Sequence, residues 1–179
     1  ECDTIIRLSK TKLPFATNDP KEEYYNSVRL SDNPDRKDIS IFPEVFSSLT
    51  PIIDILNNAF KTYKSTHFKG TNLFDYAINP HKVQVAYPNG GFTEWHCEQG
   101  DGNMGGRFMV WMIYLNTVTK GGKTEFKYQT DEKNIPLSIT PTAGTLIYWP
   151  AAYTHMHRST PDLEEEKWIA TGWFSYSII

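Results

Sequence analysis

The sequence has few cysteines and no long apolar run, and these two features argue against a disulfide-stabilised protein and a membrane-spanning one. Cys2 and Cys97 are the two cysteines among 179 residues, so there is no disulfide framework and a reducing compartment is expected. No stretch approaches the roughly 20 apolar residues of a membrane-spanning helix. The N-terminus also lacks the charged start and apolar segment of a secretion signal. These features predict a cytoplasmic protein with no membrane partner.

An excess of positive charge is also missing. Lys and Arg together number 18 against 21 Asp and Glu, which gives a formal net charge of -3. The basic residues are scattered rather than arranged in a stripe, which argues against nucleic acid as a partner. Hydrophobic residues make up 39% and charged residues 22%, an ordinary globular composition. The length suits one domain over residues 1–179, and we expect a monomer.

One helix and a series of short strands are predicted along the chain. Thr50 resembles an N-cap followed by proline, and apolar residues at helical spacing predict a helix over 51–65. Residues 4–8 resemble a short strand, and strand ends and long loops are expected elsewhere in 1–49. From Phe68 onward, turn residues separate strand-like runs at 82–87, 92–98, 107–115, 122–128, 144–149 and 168–176. This pattern predicts a mainly β sandwich or jelly roll.

The most informative stretch is the His-x-Glu pair formed by His96 and Glu98. On an extended strand, residues i and i+2 face the same side, so the imidazole and the carboxylate would point at one place. His155 or His157, about sixty residues later, could add a third ligand. Two histidines and one carboxylate on one face of an ion leave other positions open, as suits non-haem Fe(II). The alternative is an exposed polar pair on a sheet, because His-x-Glu is frequent by chance.

The order of the motifs carries a family resemblance. The motifs run in sequence from Gln84 to Pro88, Trp95 to Glu98, Arg107 to Asn116, Gly121 to Phe126, Pro141 to Pro150 and His157 to Phe174. In this order they resemble the 2-oxoglutarate and Fe(II)-dependent oxygenases of the prolyl 4-hydroxylase type, over about residues 80–176. The segments WPAAYTHMHRSTP and KWIATGWF are similar to small members encoded in bacteriophage genomes, which would place the protein in the host cytoplasm.

The resemblance implies a metal site made of His96, Glu98 and His157. Glu98 stands where the family usually has Asp, and its extra methylene would permit chelation by both oxygens. His157 rather than His155 keeps the family spacing, with proline four residues on and the basic Lys167 ten residues on. His155 is then expected at the rim of the site.

The resemblance also implies a pocket for the co-substrate. Lys167 would bind the distal carboxylate of 2-oxoglutarate, Tyr114 would donate to the same carboxylate, and Tyr87 would line the pocket. Arg107 and Trp173 match positions at the mouth of the site that contact substrate. Simpler interpretations exist, since Lys167 follows three glutamates and could balance their charge, while tyrosines on strands are usually packing residues.

The fold implied by the resemblance is a double-stranded β-helix (jelly-roll) core supported by an N-terminal α-helix. The implied activity is that of a dioxygenase that uses Fe(II), 2-oxoglutarate and O2. Ascorbate could serve as an additional reductant. It would hydroxylate a C–H bond, preferably of a peptidyl proline in a peptide or protein, and release succinate and CO2. The alternatives are a non-catalytic jelly-roll module that binds carbohydrate or peptide through a metal, and a cupin-type metalloenzyme without 2-oxoglutarate.

Overall fold

The computed structural model describes residues 1–17, 19, 28–42, 50–67 and 76–176. These residues form two α-helices, α1 (Cys2–Lys10) and α2 (Thr50–His67). The strands are β1 (Val28–Leu30), β2 (Asp38–Ile41), β3 (Tyr76–Ala86), β4 (Arg107–Tyr114), β5 (Thr124–Thr130), β6 (Pro136–Ile139), β7 (Leu146–Pro150), β8 (His157–Ser159) and β9 (Lys167–Tyr176). Within these ranges, neither helix has the length and apolar character needed to cross a lipid bilayer.

The strands form two antiparallel sheets. The larger sheet has the order β1-β2-β3-β9-β4-β7, and the smaller has the order β6-β5-β8. Strands distant in sequence are neighbours, as in the pairing of β3 with β9 and of β4 with β9. This arrangement confirms the expected mainly β, jelly-roll architecture.

Helix α2 covers one face of the larger sheet, and the predicted helix at 51–65 is confirmed. Leu56 and Phe60 are buried on its inner side, at the i, i+4 spacing that places two side chains on one face. The Phe60 ring stacks on Phe174 of β9 with ring centroids 4.3 Å apart. The apolar stripe of α2 therefore supplies the support that the sheet needs on this face.

Alternation along the strands separates a helix-facing side of the larger sheet from a cavity-facing side. On β9, Trp168, Ala170 and Phe174 belong to the core under the helices, whereas residues 167, 169, 171 and 173 line a cavity. Gly172 falls on the helix-facing side, where a Cβ atom would lie 2.8 Å from the buried indole of Trp111. Because successive strand residues point to opposite faces, one strand can carry both apolar core and polar site residues.

Two sequence expectations were wrong. Residues 4–8 lie in helix α1 rather than in a strand, because Ile5 and Ile6 pack against the core from a helix with Asp3 in its first turn and Arg7 and Lys10 in its last. Residues 92–98 form no strand; an isolated bridge at His96 and separate backbone hydrogen bonds at Phe92 and Glu98 hold them. Parts of the expected N-terminal loops, at 18, 20–27 and 43–49, lie outside the described residues.

Removing the Phe60 side chain tests the contact between helix and sheet. We expect Phe60→Ala to lower the free energy of unfolding by about 3–5 kcal/mol, because a buried aromatic ring is replaced by a cavity. Urea unfolding followed by circular dichroism measures the loss. The neighbouring exposed Lys61 provides the control, since Lys61→Ala should stay within about 0.5 kcal/mol of the unmodified protein. Equal effects of the two substitutions would contradict the packing of α2 on β9.

Candidate active site

An isolated antiparallel bridge between His96 and His157 forms the frame of the site. The backbone N–H of His96 donates to the carbonyl of His157 at 3.1 Å, and the reverse bond measures 2.9 Å. Two residues further on, the Glu98 N–H donates to the carbonyl of Ala151 at 3.0 Å. These bonds place the loop that follows β3 directly against β8, although the two segments are far apart in sequence.

Three side chains converge at this bridge. The nearest ligand atoms of His96, Glu98 and His157 all lie within 4.8 Å of one another. The Nε2 atom of His96 is 3.4 Å from Oε1 of Glu98, and the Nε2 atom of His157 is 3.7 Å from the same oxygen. The structure thus brings together the three residues that the sequence predicted as metal ligands.

Backbone carbonyls fix the orientation of both imidazoles. Nδ1 of His96 lies 2.9 Å from the carbonyl oxygen of Glu94, and Nδ1 of His157 lies 3.0 Å from that of His155. Because a carbonyl oxygen only accepts, each Nδ1 carries the proton in the neutral ring and each Nε2 presents a lone pair to Glu98. Such outer hydrogen bonds are typical of histidines that bind metals.

The two oxygens of the Glu98 carboxylate face different partners. Burial favours its neutral form, but when no metal is bound, hydrogen bonds from the His157 and His96 rings and their positive charge when protonated outweigh burial and hold the pKa of Glu98 well below its usual range. Its Oε1 atom faces the histidines, whereas Oε2 accepts a hydrogen bond from the Trp173 indole at 3.1 Å. Arg107 stacks on the Trp173 ring at 3.7 Å and places a guanidinium nitrogen 3.6 Å from Oε2. Arg107 and Trp173 therefore lie against the metal-binding group itself.

The donor set fits Fe(II). Two imidazole lone pairs and one carboxylate oxygen point at a common place, and facing lone pairs repel unless a cation lies among them. Two nitrogens and one oxygen on one side of an ion leave positions for a chelating co-substrate and dioxygen. His157 is buried while His96 and Glu98 are partly exposed, so the site opens on one side.

A cavity of about 280 Å³ adjoins the three residues. The larger sheet forms its floor and the smaller sheet part of its wall. Its lining residues include Arg36, Lys82, Gln84, Ala86, Phe92, Met112, Thr124, Trp149, Arg158, Ser159, Lys167, Ile169, Thr171 and Trp173. Such a concave, mixed polar and apolar space is typical of a binding site for a small ligand.

Lys167 supplies a buried cation to this cavity. Its Nζ atom donates to the carbonyl of Gly122 at 2.6 Å and to Ser159 Oγ at 3.3 Å. No carboxylate in the described part of the chain forms an ion pair with it, and burial lowers the pKa of Lys167 to about 8. A buried ammonium without a counterion is costly, so this position favours a ligand with a negative charge.

Tyr114 lies behind the cavity wall. Its hydroxyl donates to Thr124 Oγ1 at 2.6 Å, and its ring centroid is 5.8 Å from Lys167 Nζ. Burial raises the pKa of Tyr114 to about 12, so the phenol keeps its proton at neutral pH. Thr124 lines the cavity, and Tyr114 reaches the cavity through it.

Tyr87 lies differently from what the sequence suggested, whereas His155 lies next to the site without being one of the three converging residues. Tyr87 packs against the core under the helices and does not line the cavity, because β3 ends with Ala86 on the cavity side and the next residue turns the other way. His155 ends a short 3-10 turn, so it does not share an extended segment with His157. Its backbone carbonyl, however, orients the His157 ring.

Several cavity residues escaped the sequence interpretation. Lys82 and Gln84 alternate with core valines on β3, and this period of two was the available signal. Arg36 reaches the cavity from the turn before β2, where no local pattern indicates a site. Arg158 pairs with Glu125 at 2.8 Å and lies beside the metal-binding residues on β8.

Fold and site together define a class of protein, namely jelly-roll proteins with two histidines and one carboxylate beside a lysine-containing cavity. The chain belongs to the 2OG-Fe(II) oxygenase superfamily, whose family model matches residues 70–175, more than half of the chain. Fe(II), 2-oxoglutarate and O2 are the cofactors of this family, and the His-Glu-His cluster offers ligands for the metal. Membership favours the enzyme over the non-catalytic binding module.

Individual relatives agree with this assignment. Prolyl 4-hydroxylase 13 of Arabidopsis thaliana is 20% identical over 195 residues, which cover 97% of this chain and 66% of that protein. The chain thus spans less than two thirds of that relative, and smaller shares of other curated relatives that it matches.

Solved structures share the fold. A Pseudomonas putida prolyl-4-hydroxylase matches with a TM-score of 0.65 and 16% identity, covering 99% of this chain and 88% of that one. A prolyl hydroxylase from Trichoplax adhaerens, in complex with a hypoxia inducible factor oxygen degradation domain peptide fragment, gives 0.61 and 18% over 82% and 66% of the two chains.

The metal site predicts a contrast between two nearby histidines. We expect His157→Ala to weaken Fe(II) binding by at least about a hundredfold, because loss of even an outer partner of a ligand costs roughly 10–100-fold. Anaerobic competition with a fluorescent chelator measures the affinity. His155→Ala should change it by less than about threefold, since the backbone carbonyl that orients His157 remains. Equal losses of Fe(II) affinity in the two variants, or no loss in either, would show that His157 is not a metal ligand.

Proposed function

We propose that this chain hydroxylates a peptidyl proline in a reaction that depends on Fe(II) and 2-oxoglutarate. Each turnover would consume one 2-oxoglutarate and one dioxygen, place one oxygen atom in succinate and the other in the new hydroxyl group, and release CO2. The observation that carries the proposal is a buried lysine without a counterion in the same cavity as a convergent His-Glu-His cluster.

His96, Glu98 and His157 would hold the metal, which together with 2-oxoglutarate and dioxygen supplies the oxidising chemistry. The carbonyls of Glu94 and His155 keep both imidazoles in the tautomer that binds a metal. Trp173 holds the outer oxygen of Glu98 and so limits rotation of the carboxylate. The task of the protein is orientation and exclusion of water.

Lys167 would bind the distal carboxylate of 2-oxoglutarate. The carbonyl of Gly122 and the hydroxyl of Ser159 already hold its ammonium in place. The Lys167 side chain therefore loses little further conformational freedom when a ligand binds. Thr124 lines the same cavity and accepts a hydrogen bond from the Tyr114 hydroxyl, which leaves the Thr124 hydroxyl proton free to donate to a carboxylate. A charge-assisted contact of this kind is among the stronger polar interactions in proteins.

The substrate would approach over Arg107 and Trp173. These two side chains stack on each other beside Glu98, next to the place where a substrate C–H bond must come to be oxidised. A proline ring packs well on an indole face. Support for proline comes from the relatives, which include a plant prolyl 4-hydroxylase and a hydroxylase solved with a peptide.

Two measurements test the activity. The purified protein with Fe(II), ascorbate and 2-oxoglutarate should form succinate, and proline-containing peptides should gain the mass of one oxygen atom in a matching amount. His157→Ala should abolish both products, while His155→Ala should keep them. Metal-dependent binding of a peptide without any succinate would instead support a non-catalytic module. Hydroxylation at residues other than proline would replace the substrate but keep the reaction.

The cation in the pocket predicts a dependence on pH. The pKa of Lys167 in the free protein is about 8, lowered by burial, so the amine is charged at pH 7 and neutral at pH 9. Both carboxylates of 2-oxoglutarate stay ionised over this range. We therefore expect the apparent KM for 2-oxoglutarate to rise as pH increases through 8, as measured by succinate formation.

Substitution isolates the contribution of this lysine. Lys167→Ala should raise the KM for 2-oxoglutarate about ten- to a hundredfold at pH 7, as expected for loss of a hydrogen bond to a charged group, and should flatten the rise with pH. Lys123→Ala, on an exposed side chain of the neighbouring turn, should behave like the unmodified protein. An unchanged KM in Lys167→Ala would clear Lys167 of this role.

A further inference from the structure

A second lysine lines the cavity, and neither the metal cluster nor the 2-oxoglutarate pocket uses it. Lys82 lies on β3 opposite Thr171 of β9, whereas Ala86 of β3 lies opposite Lys167. Four residues separate the two pairs along the strands, which corresponds to about 13 Å at the usual rise per residue. The two lysines therefore stand at opposite ends of the cavity floor, and Lys82 is at the end that holds Trp173.

The charged groups around Lys82 leave it without a carboxylate in contact. Arg36 is paired with Asp38 at 2.8 Å, and Arg107 lies 3.6 Å from Glu98. These four groups are the ones whose charges act on Lys82, with Glu98 the strongest among them. In the ranges that the structure describes, no ion pair or hydrogen bond reaches the Lys82 ammonium. Burial lowers the pKa of Lys82, as expected for an ammonium without a close counterion.

The charges in a site that holds metal and 2-oxoglutarate also leave Lys82 without a counterion. The metal and Lys167 contribute three positive charges, while Glu98 and 2-oxoglutarate contribute three negative ones, so these four groups cancel. Lys82 and Arg107 then remain as positive groups on the side of Glu98 from which a substrate would enter. Two positive groups on one side of a cavity favour a negatively charged ligand there.

We propose that Lys82 binds a carboxylate of the primary substrate, so that the substrate carries an ionised carboxylate at the Lys82 end of the cavity. This inference rests on the proposed function, because it concerns the second ligand of the same cavity. The carboxylate has two sources with the same chemistry, namely the α-carboxylate of a free amino acid such as proline and the side chain of an acidic residue next to a peptidyl proline. Because the backbone positions of Lys82 and Lys167 lie about 13 Å apart along the cavity floor, we assign the two lysines to different anions.

Matched substrate pairs test the proposal on the iron-loaded enzyme. The first pair is L-proline and L-prolinamide, and the second is two blocked peptides that differ only in Glu or Gln before the proline. In each pair, the acidic member is the one with the carboxylate and the neutral member is the one with an amide in its place. The unmodified protein should favour the acidic member of at least one pair about tenfold or more in kcat/KM, and the pair that shows the preference identifies the source of the carboxylate. Lys82→Met keeps the stem and removes the charge, so it should abolish the preference and leave the KM for 2-oxoglutarate unchanged.

The control is Lys61→Met, which removes an exposed lysine from α2 and should keep the preference. Equal kcat/KM for acidic and neutral members in the unmodified protein would overturn the proposal, and so would a preference that survives in Lys82→Met. A raised KM for 2-oxoglutarate in Lys82→Met with no change in preference would assign Lys82 to the co-substrate, and would equally overturn it.

A binding measurement keeps this test separate from the proposed function. The same four probes are titrated under anaerobic conditions into protein loaded with Fe(II) and 2-oxoglutarate, and tryptophan fluorescence follows the binding. Preferential binding of an acidic probe that disappears in Lys82→Met supports the carboxylate site even where no succinate forms. Failure of both acidic probes to bind better than their neutral partners overturns it even where 2-oxoglutarate is decarboxylated.

Discussion

The paired backbone hydrogen bonds between His96 and His157 are the contact on which the site depends. They join a loop to a short strand across about sixty residues of sequence, and a shift of one residue in this pairing would turn one imidazole away from Glu98. The same segments carry the carbonyls of Glu94 and His155 that set the tautomer of each ring. Backbone geometry thus sets the position of the His96 and His157 rings and the tautomer of each neutral ring, before any ion is bound.

The larger sheet makes it possible to bury charge beside this bridge. Its helix-facing side is apolar, and α2 covers it with Leu56 and Phe60, so this side supplies much of the apolar burial that stabilises the sheet. That opposite side can then hold Lys82 and Lys167, which cost stability rather than add to it. On this ground we propose both lysines as ligand sites, and their separation along the floor would give the cavity two anion-binding ends.

The sequence predicted what depends on local periodicity and on spacing between motifs. Helix α2, the strands of the larger sheet from β3 onward and the convergence of His96, Glu98 and His157 all follow from such patterns. It failed where tertiary packing overrides local preference. Ile5 is β-branched and favours a strand in isolation, but it lies in α1 because one face of that helix packs on the core. Tyr87 illustrates a second limit, since its role came from the family resemblance, whereas strand alternation from Ala86 on the cavity side places residue 87 on the helix-facing side.

Glu98 in place of aspartate can be explained by the same geometry. The additional methylene would permit both oxygens to chelate one ion, but the carboxylate is held apart by unlike partners. Oε1 faces the two Nε2 atoms at 3.4 and 3.7 Å, while Oε2 accepts the Trp173 N–H at 3.1 Å. Chelation through Oε2 would break that hydrogen bond and leave a partly buried indole N–H without its acceptor. The longer side chain therefore extends the carboxylate to Trp173, and a bound metal would be left with one oxygen of Glu98.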